Sequence, residues 1–364
     1  MTLFFFLLLP IFALAEEPTR TEALQDPVLA ATESRPLPES GKFRSLVPLG
    51  GYNPTYKVFL GGGYFQNKVT DGEKKYEFGI VGIFAQAKAT KLEVNWHSYF
   101  SRWWRMDLRN ELSNGFESNY GRGNETKVED RVDVLFWKDE TEVYFPYSFN
   151  SRFSIGPGFE HRARRNKAEF RSQESLQKDP IEPEEFVVAA GIKQELDYRD
   201  IPSNPSLGWH QGFRITHAFP YKGPIHARST TFDWDFDIFQ YVIDRDLVLA
   251  HALSGGFILG EPTYLNEFRL GGTDRLRGHF YNRFRGKKYY VEQSELRFPI
   301  YSYVSGASFL EFGEVTDKRF SRAHVTYGAG LRIGLPPDKI SKIRIDYAVA
   351  RDQKGVFVDF GHAF

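Results

Sequence analysis

A period of two governs this chain. The stretch Phe232–Phe239, FDWDFDIF, sets Phe232, Trp234, Phe236 and Ile238 against Asp233, Asp235 and Asp237. Strict alternation of large apolar and charged residues marks a β-strand with two unlike faces. By itself such a strand fits two folds. A soluble sandwich would turn the aromatics inward, whereas a membrane barrel would turn them to lipid and the three acids to a wet lumen. Other strands separate the two. Val356, Val358, Phe360 and Phe364 alternate with Phe357, Asp359, Gly361 and Ala363. Ala329, Leu331, Ile333 and Leu335 likewise alternate with Gly328, Gly330, Arg332 and Gly334. A face of Gly, Asp and Arg cannot fill a sandwich core; it leaves space that water must occupy. Closing the sheet satisfies every backbone group, which lipid demands. The expected fold is all-β, a transmembrane antiparallel β-barrel.

Strand-like runs of about ten residues begin near Pro54, Lys75, Thr90, Trp104, Lys127, Thr141, Arg152, Glu185, Gly208, Ser229, Asp246, Lys288, Val304, His324, Ser341 and Gly355. These make sixteen strands, an even number that puts both chain ends on one side. With periplasmic termini, the odd-to-even connections face outside. They include the two longest, about Ala163–Glu184 and about Leu259–Lys287, the fourth and sixth extracellular loops. The even-to-odd connections read as short periplasmic turns, except GFESNYGRGNET (Gly115–Thr126) and DIPSNPSLG (Asp200–Gly208). Trp103 and Trp104, between Arg102 and Arg105, fit an interfacial aromatic girdle.

Composition narrows the rest. The 364 residues include no cysteine, which excludes disulfides, thiolate metal sites and an acylated cysteine. Zero net charge gives no footprint for nucleic acid. A negative mean hydropathy is compatible with a barrel, because only every second strand residue meets lipid. Residues 1–15, MTLFFFLLLPIFALA, have the apolar run and Ala-x-Ala end of a signal peptide, although the n-region carries no Lys or Arg. Residues 16–50 are rich in Pro, Glu, Thr and Ser without a hydrophobic period, so they are expected to be a disordered periplasmic segment. Residues 51–364 are then the barrel domain.

Four segments carry a resemblance. GGTDRLRGHF (Gly271–Phe280), YYVEQSELRFPI (Tyr289–Ile300), FLEFGEV (Phe309–Val315) and the C-terminal FVDFGHAF stand in the order found in the BamA/TamA, or bacterial surface antigen, family. LDYRDIPSNPSLG (Leu196–Gly208) and NYGRGNET (Asn119–Thr126) are similar to further elements, so the resemblance spans about residues 110–364. It implies that the long sixth extracellular loop folds into the lumen. There an Arg at its tip meets an acid of the thirteenth strand. The matching loop residues are Leu276, Arg277, Gly278, His279 and Phe280; Glu311 and Gly313 match on the strand. His279 stands where Phe or Tyr is usual, and Glu311 where Asp is usual. A charge-assisted Arg–carboxylate pair can offset the entropy of ordering so long a loop. In a wet lumen such a pair would be hydrated and weak. Family members that assemble or translocate proteins carry POTRA domains ahead of the barrel, for which this chain has no room.

The resemblance implies a role in outer-membrane protein insertion, assembly or translocation, with a seam between first and last strands that opens laterally. The competing reading is a closed structural or solute-conducting barrel. The implied location is the outer membrane of a Gram-negative-type bacterium. Implied partners are outer-membrane lipid and lipopolysaccharide, with nascent outer-membrane proteins or a separate periplasmic protein. Val356, Val358, Phe360 and Phe364 read as a C-terminal insertion signal. The cluster EHRARRNK (Glu160–Lys167) is either a lipopolysaccharide contact or a solvated loop. No H-E-x-x-H or G-x-S-x-G pattern occurs, so no catalytic, cofactor or metal residue is expected and the chain does not read as an enzyme.

Overall fold

A computed structural model describes residues 40–364, except 72, 87, 169–180, 244–246, 335–341 and 352. The expected signal peptide at 1–15 and the segment 16–39 lie outside the described residues. Sixteen long strands run antiparallel to their neighbours in sequence order, and the last pairs with the first to close the sheet. They are β1 Gly41–Asn53, β2 Lys57–Thr70, β3 Glu73–Ala85, β4 Thr90–Tyr99, β5 Arg105–Asn119, β6 Val132–Tyr144, β7 Phe153–Ala168 and β8 Glu184–Asp197. The second half comprises β9 Gly208–Lys222, β10 Ser229–Tyr241, β11 Val248–Gly260, β12 Lys288–Tyr301, β13 Val304–Thr316, β14 His324–Gly334, β15 Lys342–Ala350 and β16 Lys354–Phe360. No helix among the described residues is long and apolar enough to cross a membrane.

Alternation sorts the side chains as a lipid-bathed barrel requires. Leu46, Leu60 and Phe84 point outward and are 82, 65 and 69% exposed, while Arg164, Arg277, Arg332 and Arg344 are almost fully buried. That inverts a soluble protein, in which large apolar groups are inside and Arg is at the surface. In β10, Asp233 meets Arg214 and Asp235 meets His210 on the enclosed face, while Ile238 is exposed on the other. The acids of FDWDFDIF thus face inward.

The strand count was expected, but three elements differ from the reading of the sequence. β1 begins at Gly41, inside the segment expected to be disordered up to residue 50. Pro48, Gly50 and Gly51 obscure its alternation, yet it pairs with β2 from Gly41 opposite Val69 to Asn53 opposite Lys57. Proline is tolerated because this strand is an edge over most of its length. Conversely, the runs begun at Lys127 and Thr141 are one strand, β6, preceded by a 3-10 turn at Val128–Asp130. Its charged centre is no turn: Lys138 points inward and lies 2.9 Å from both Glu111 and Glu140. The two differences cancel, and the count stays at sixteen.

The third difference removes an anomaly. NYGRGNET joins β5 to β6, an odd-to-even connection, and so lies at the same end as the long loops rather than among the short turns. We call this the loop end and the opposite one the turn end. DIPSNPSLG does lie at the turn end, where the Ser206 N–H donates to Asp200 Oδ1 at 2.9 Å and Tyr198 stacks on Trp209. Trp103 and Trp104 sit at that end too, half-exposed, with the Arg102 guanidinium 4.3 Å over the Trp103 ring. The basic cluster of β7 is divided by its strand: Arg164 points inward to Glu117, whereas Arg165 is exposed beside Glu184.

Candidate functional site: the sixth loop and the strand seam

The loop of residues 261–287 between β11 and β12 carries a short hairpin, Phe268–Leu270 against Phe284–Gly286. Its tip turns sharply through Leu276 (φ 52°) and Gly278 (φ 102°). Gly278 suits that left-handed position, and an added Cβ would press on Ala348 and the Ala350 N–H at 3.3–3.4 Å. Leu276 is fully buried in a cluster with Leu270, Phe284, Tyr289, Val291 and Val315. Gly313 makes room for it, since a Cβ there would stand 3.2 Å from Leu276 Cδ1.

Arg277 stands between them with a side chain that is 0% exposed. Its backbone N–H donates to Glu311 Oε2 at 2.7 Å and its Nε to Oε1 at 2.5 Å. Nη1 donates to Glu295 at 2.9 Å and Asp346 at 3.0 Å, and the guanidinium lies 3.6 Å from the centre of the Phe309 ring. Gln293 and Thr326 also donate to Glu311, and Arg332 donates to both Glu295 and Asp346. The burial corrects the expectation of a hydrated pair. Removing one partner from a buried pair leaves an uncompensated charge, at a cost of about 3–5 kcal/mol. Arg332 was placed on the enclosed face from the sequence, but Glu295 and Asp346 were not singled out. The available signal was a charge at an inward position of an otherwise apolar strand, as in RIDYAV.

His279 is buried between Phe284 and His324, edge-on to both at 5.0 and 5.4 Å. Burial, with His324 and Arg283 nearby, pushes its pKa down to about 3, so it is neutral at physiological pH. It fills an aromatic slot as an uncharged ring. Phe280 stacks on Tyr120 of the β5–β6 connection at 6.4 Å. That connection holds the loop from the side: the Gly123 N–H donates to the Arg285 carbonyl at 2.7 Å, Arg283 to Thr126 Oγ1 at 2.5 Å, and Arg122 pairs with Glu267.

The second part of the site is the junction of first and last strands. Its ladder is a single position, Tyr52 opposite Val358. The β15–β16 ladder, by contrast, runs from Ile343 opposite Phe360 to Val349 opposite Lys354. β16 ends while β1 continues, so among the described residues β1 from Gly41 to Gly51 has no strand on its outer side. Gly51 permits the one close approach, for a Cβ there would lie 2.4 Å from the Val358 carbonyl oxygen.

Both ends of the junction are tied. At the loop end, the Phe280 N–H donates to Gln353 Oε1 (2.9 Å) in the β15–β16 turn, and the Tyr281 N–H to Thr55 Oγ1 (3.2 Å) in the β1–β2 turn. At the turn end the chain leaves β16 at Gly361 (φ 76°). His362 Nε2 lies 2.9 Å from Asn204 Oδ1, and Arg297 donates to the Phe364 backbone oxygen at 2.9 Å and to the Pro205 carbonyl at 3.2 Å. The Phe364 ring sits 6.5 Å from that of Phe239, whose side chain is buried on the inner face. Phe364 therefore departs from the expected row. Val356 is exposed on the outer face and Phe357 buried on the inner one, whereas Phe364 has turned in under the barrel.

The Omp85 superfamily domain matches residues 88–361, three quarters of the sequence. The chain belongs to the Omp85 superfamily. The family implies an integral protein of the Gram-negative outer membrane, of the assembly and transport type. Solved Omp85-type barrels agree in fold. BamA from Haemophilus ducreyi lacking POTRA domains 1-3 superposes with a TM-score of 0.63 at 12% identity, over 87% of this chain and 70% of that one. CdiB from Escherichia coli gives 0.63 at 13%, over 90% and 63% of the two chains. CdiB from Acinetobacter baumannii gives 0.57 at 10%, over 89% and 60%. The chain thus spans less than two thirds of either CdiB. No curated protein sequence matches it.

Proposed function

We propose that this Omp85 barrel acts in the insertion, assembly or translocation of outer-membrane proteins, with the β1–β16 junction as its working part. The observation that carries the reading is the edge of β1. A strand edge in lipid leaves N–H and C=O groups without partners, each costing several kcal/mol, and an added strand satisfies them. An incoming β-strand can pair there by augmentation, in which main-chain bonds give affinity without demanding a particular sequence. In this reading the loop end is extracellular, both termini are periplasmic, and loop 6 is folded inward and locked by Arg277 on Glu311. The lock keeps the neighbouring wall rigid while the junction opens. Partners are nascent outer-membrane proteins or a separate periplasmic protein, in a bilayer of phospholipid and lipopolysaccharide; no catalysis is involved.

The ties of Arg297 and His362 at the turn end favour a second reading, a closed structural or solute-conducting barrel whose last strand stays fixed. A photo-crosslinking side chain at Leu46 on the open edge, with Leu92 on β4 as control, separates the two in cells. Adducts with other outer-membrane barrel proteins from position 46 alone support the assembly reading. Their absence, with a steady pore conductance unaffected by loop deletion, supports the closed barrel.

A further inference from the structure

We propose that His210, Asp235 and Asp237 form a binding site for a divalent transition-metal ion on the inner wall near the turn end. The three come from neighbouring strands, which is why no sequence spacing announced them. His210 of β9 stands opposite Asp237 of β10, and Gly212 opposite Asp235. Positions two apart on a strand share a face, so all three side chains project to the lumen. His210 Nδ1 lies 3.1 Å from Asp235 Oδ2 and 3.6 Å from Asp237 Oδ2, and one donor atom from each residue falls within 4.8 Å of the others. Neighbouring ligands of one ion bound at about 2.1 Å stand roughly 3.0 Å apart in octahedral and about 3.4 Å apart in tetrahedral geometry. The two His210–carboxylate distances bracket the tetrahedral value.

Two further observations point to a ligand. His210 Nδ1 is buried and makes no hydrogen bond, although two carboxylates flank it. The neighbouring carboxylates have direct cationic partners, and these two do not, although the Arg275 guanidinium lies close enough to act on Asp235 through space. Asp233 pairs with Arg214, Glu195 with Lys193 and Arg105, and Asp197 with Arg199. Among the described residues no Lys or Arg forms an ion pair with Asp235 or Asp237; their partner is His210. Gly212 leaves the space that Asp235 leans into, since a Cβ there would meet its Oδ1 at 2.5 Å. Asp235 is 39% exposed, so water or a further ligand can complete the shell from the lumen. One imidazole and two carboxylates suit Zn²⁺ and its first-row neighbours better than Mg²⁺ or Ca²⁺.

The test is Zn²⁺ titration of the refolded, chelator-stripped barrel by calorimetry, repeated with Co²⁺ to read its visible absorption. Wild type should take up one ion per chain at this site. His210→Ala should weaken binding by at least about 100-fold, since even outer-shell partners are worth about 10–100-fold in affinity. Asp237→Asn, nearly isosteric, should weaken it too and change the Co²⁺ spectrum. His161→Ala, which removes an outer-face histidine bonded to Tyr221, should leave it unchanged. Heat-modifiable migration in gels establishes that each variant is folded. Failure of wild type to bind Zn²⁺ would overturn the site, as would unchanged affinity in both folded His210→Ala and folded Asp237→Asn. If His210→Ala does not fold, Asp237→Asn decides alone.

Discussion

Two stretches of the same wall are built on opposite principles. Between β12 and β15, long ladders are cross-braced inside by Arg277, Arg332, Glu295, Glu311 and Asp346, all fully buried. Between β16 and β1 there is one paired position, and the bracing comes from the ends: Phe280 and Tyr281 above, Arg297 and His362 below. A junction held mainly at its ends can open without dismantling the sheet. A wall locked through buried charges cannot, because separating those charges leaves each desolvated and unpaired. Loop 6 belongs to both: residue 277 anchors the rigid side, and residues 280 and 281 touch the two hairpins that flank the weak one.

The largest expected effect comes from breaking the rigid side. Arg277→Glu should detach loop 6, exposing residues 261–287 to protease and raising any pore conductance, with a loss of about 3–5 kcal/mol in docking. Arg277→Ala should do the same less strongly. Adding Glu311→Arg to Arg277→Glu should restore protection in part, because the pairing returns but its fork geometry does not. Equal protease resistance in wild type and Arg277→Glu would mean that the buried network does not hold the loop.

Deleting Phe364 acts on the weak side. It removes the ring beside Phe239 and shifts the terminal carboxylate away from Arg297. Outer-membrane insertion should fall, and in the inserted fraction the β16 amides should exchange faster with solvent. Normal insertion and unchanged exchange would show that the C-terminal tie holds nothing.

Labelling sharpens the contrast between faces. Single cysteines at 233, 235 and 237 should react with small hydrophilic thiol reagents, fastest at 235, where the side chain is 39% exposed against 23 and 13% at the other two. Cysteines at 234 and 236 should resist them. Reversed labelling would turn the wall inside out.

The smallest effect is pH-dependent. His279 docks with its pKa pushed down to about 3 from an ordinary value near 6.5. A depressed histidine makes the docked loop bind fewer protons than the free loop. Docking is therefore unaffected above about pH 6.5 and weakens as pH falls below it, by up to about 1.4 kcal/mol per unit. Loop protection should decline progressively as pH falls below about 6.5 toward about 3. His279→Phe should abolish that decline, and persistence of the decline in this variant would assign it to another group.

Much of this was legible in the sequence. Alternation of apolar with small or charged residues announced the barrel: FDWDFDIF alone fits a sandwich as well, but the small and charged face of GLRIGL cannot fill a sandwich core. What escaped were departures from alternation whose cause lies in a neighbour. β1 was hidden by Pro48, Gly50 and Gly51, residues tolerated where a strand has a free edge. β6 was split by Lys138, Asp139 and Glu140, charges that read as a turn until an enclosed partner such as Glu111 is supplied. Arg277 and Glu311 could be paired only through the family's motif order. Their companions Glu295 and Asp346 lie on other strands at separations that carry no local signal. Phe364 continues the apolar row on paper, but Gly361 turns the chain out of it.

The central claim is that the β1–β16 junction must open while the wall around Arg277 stays shut. The chain has no native cysteine, so a disulfide between Tyr52→Cys and Val358→Cys locks the junction cleanly. A second pair, Tyr347→Cys with Val356→Cys, locks the ordinary β15–β16 ladder as control. Photo-crosslinking from position 46 is then measured in each oxidised protein and after reduction. The account predicts that adducts with outer-membrane barrel proteins disappear when the junction is locked, return on reduction, and persist in the control. Adducts that survive the locked junction undiminished would contradict it.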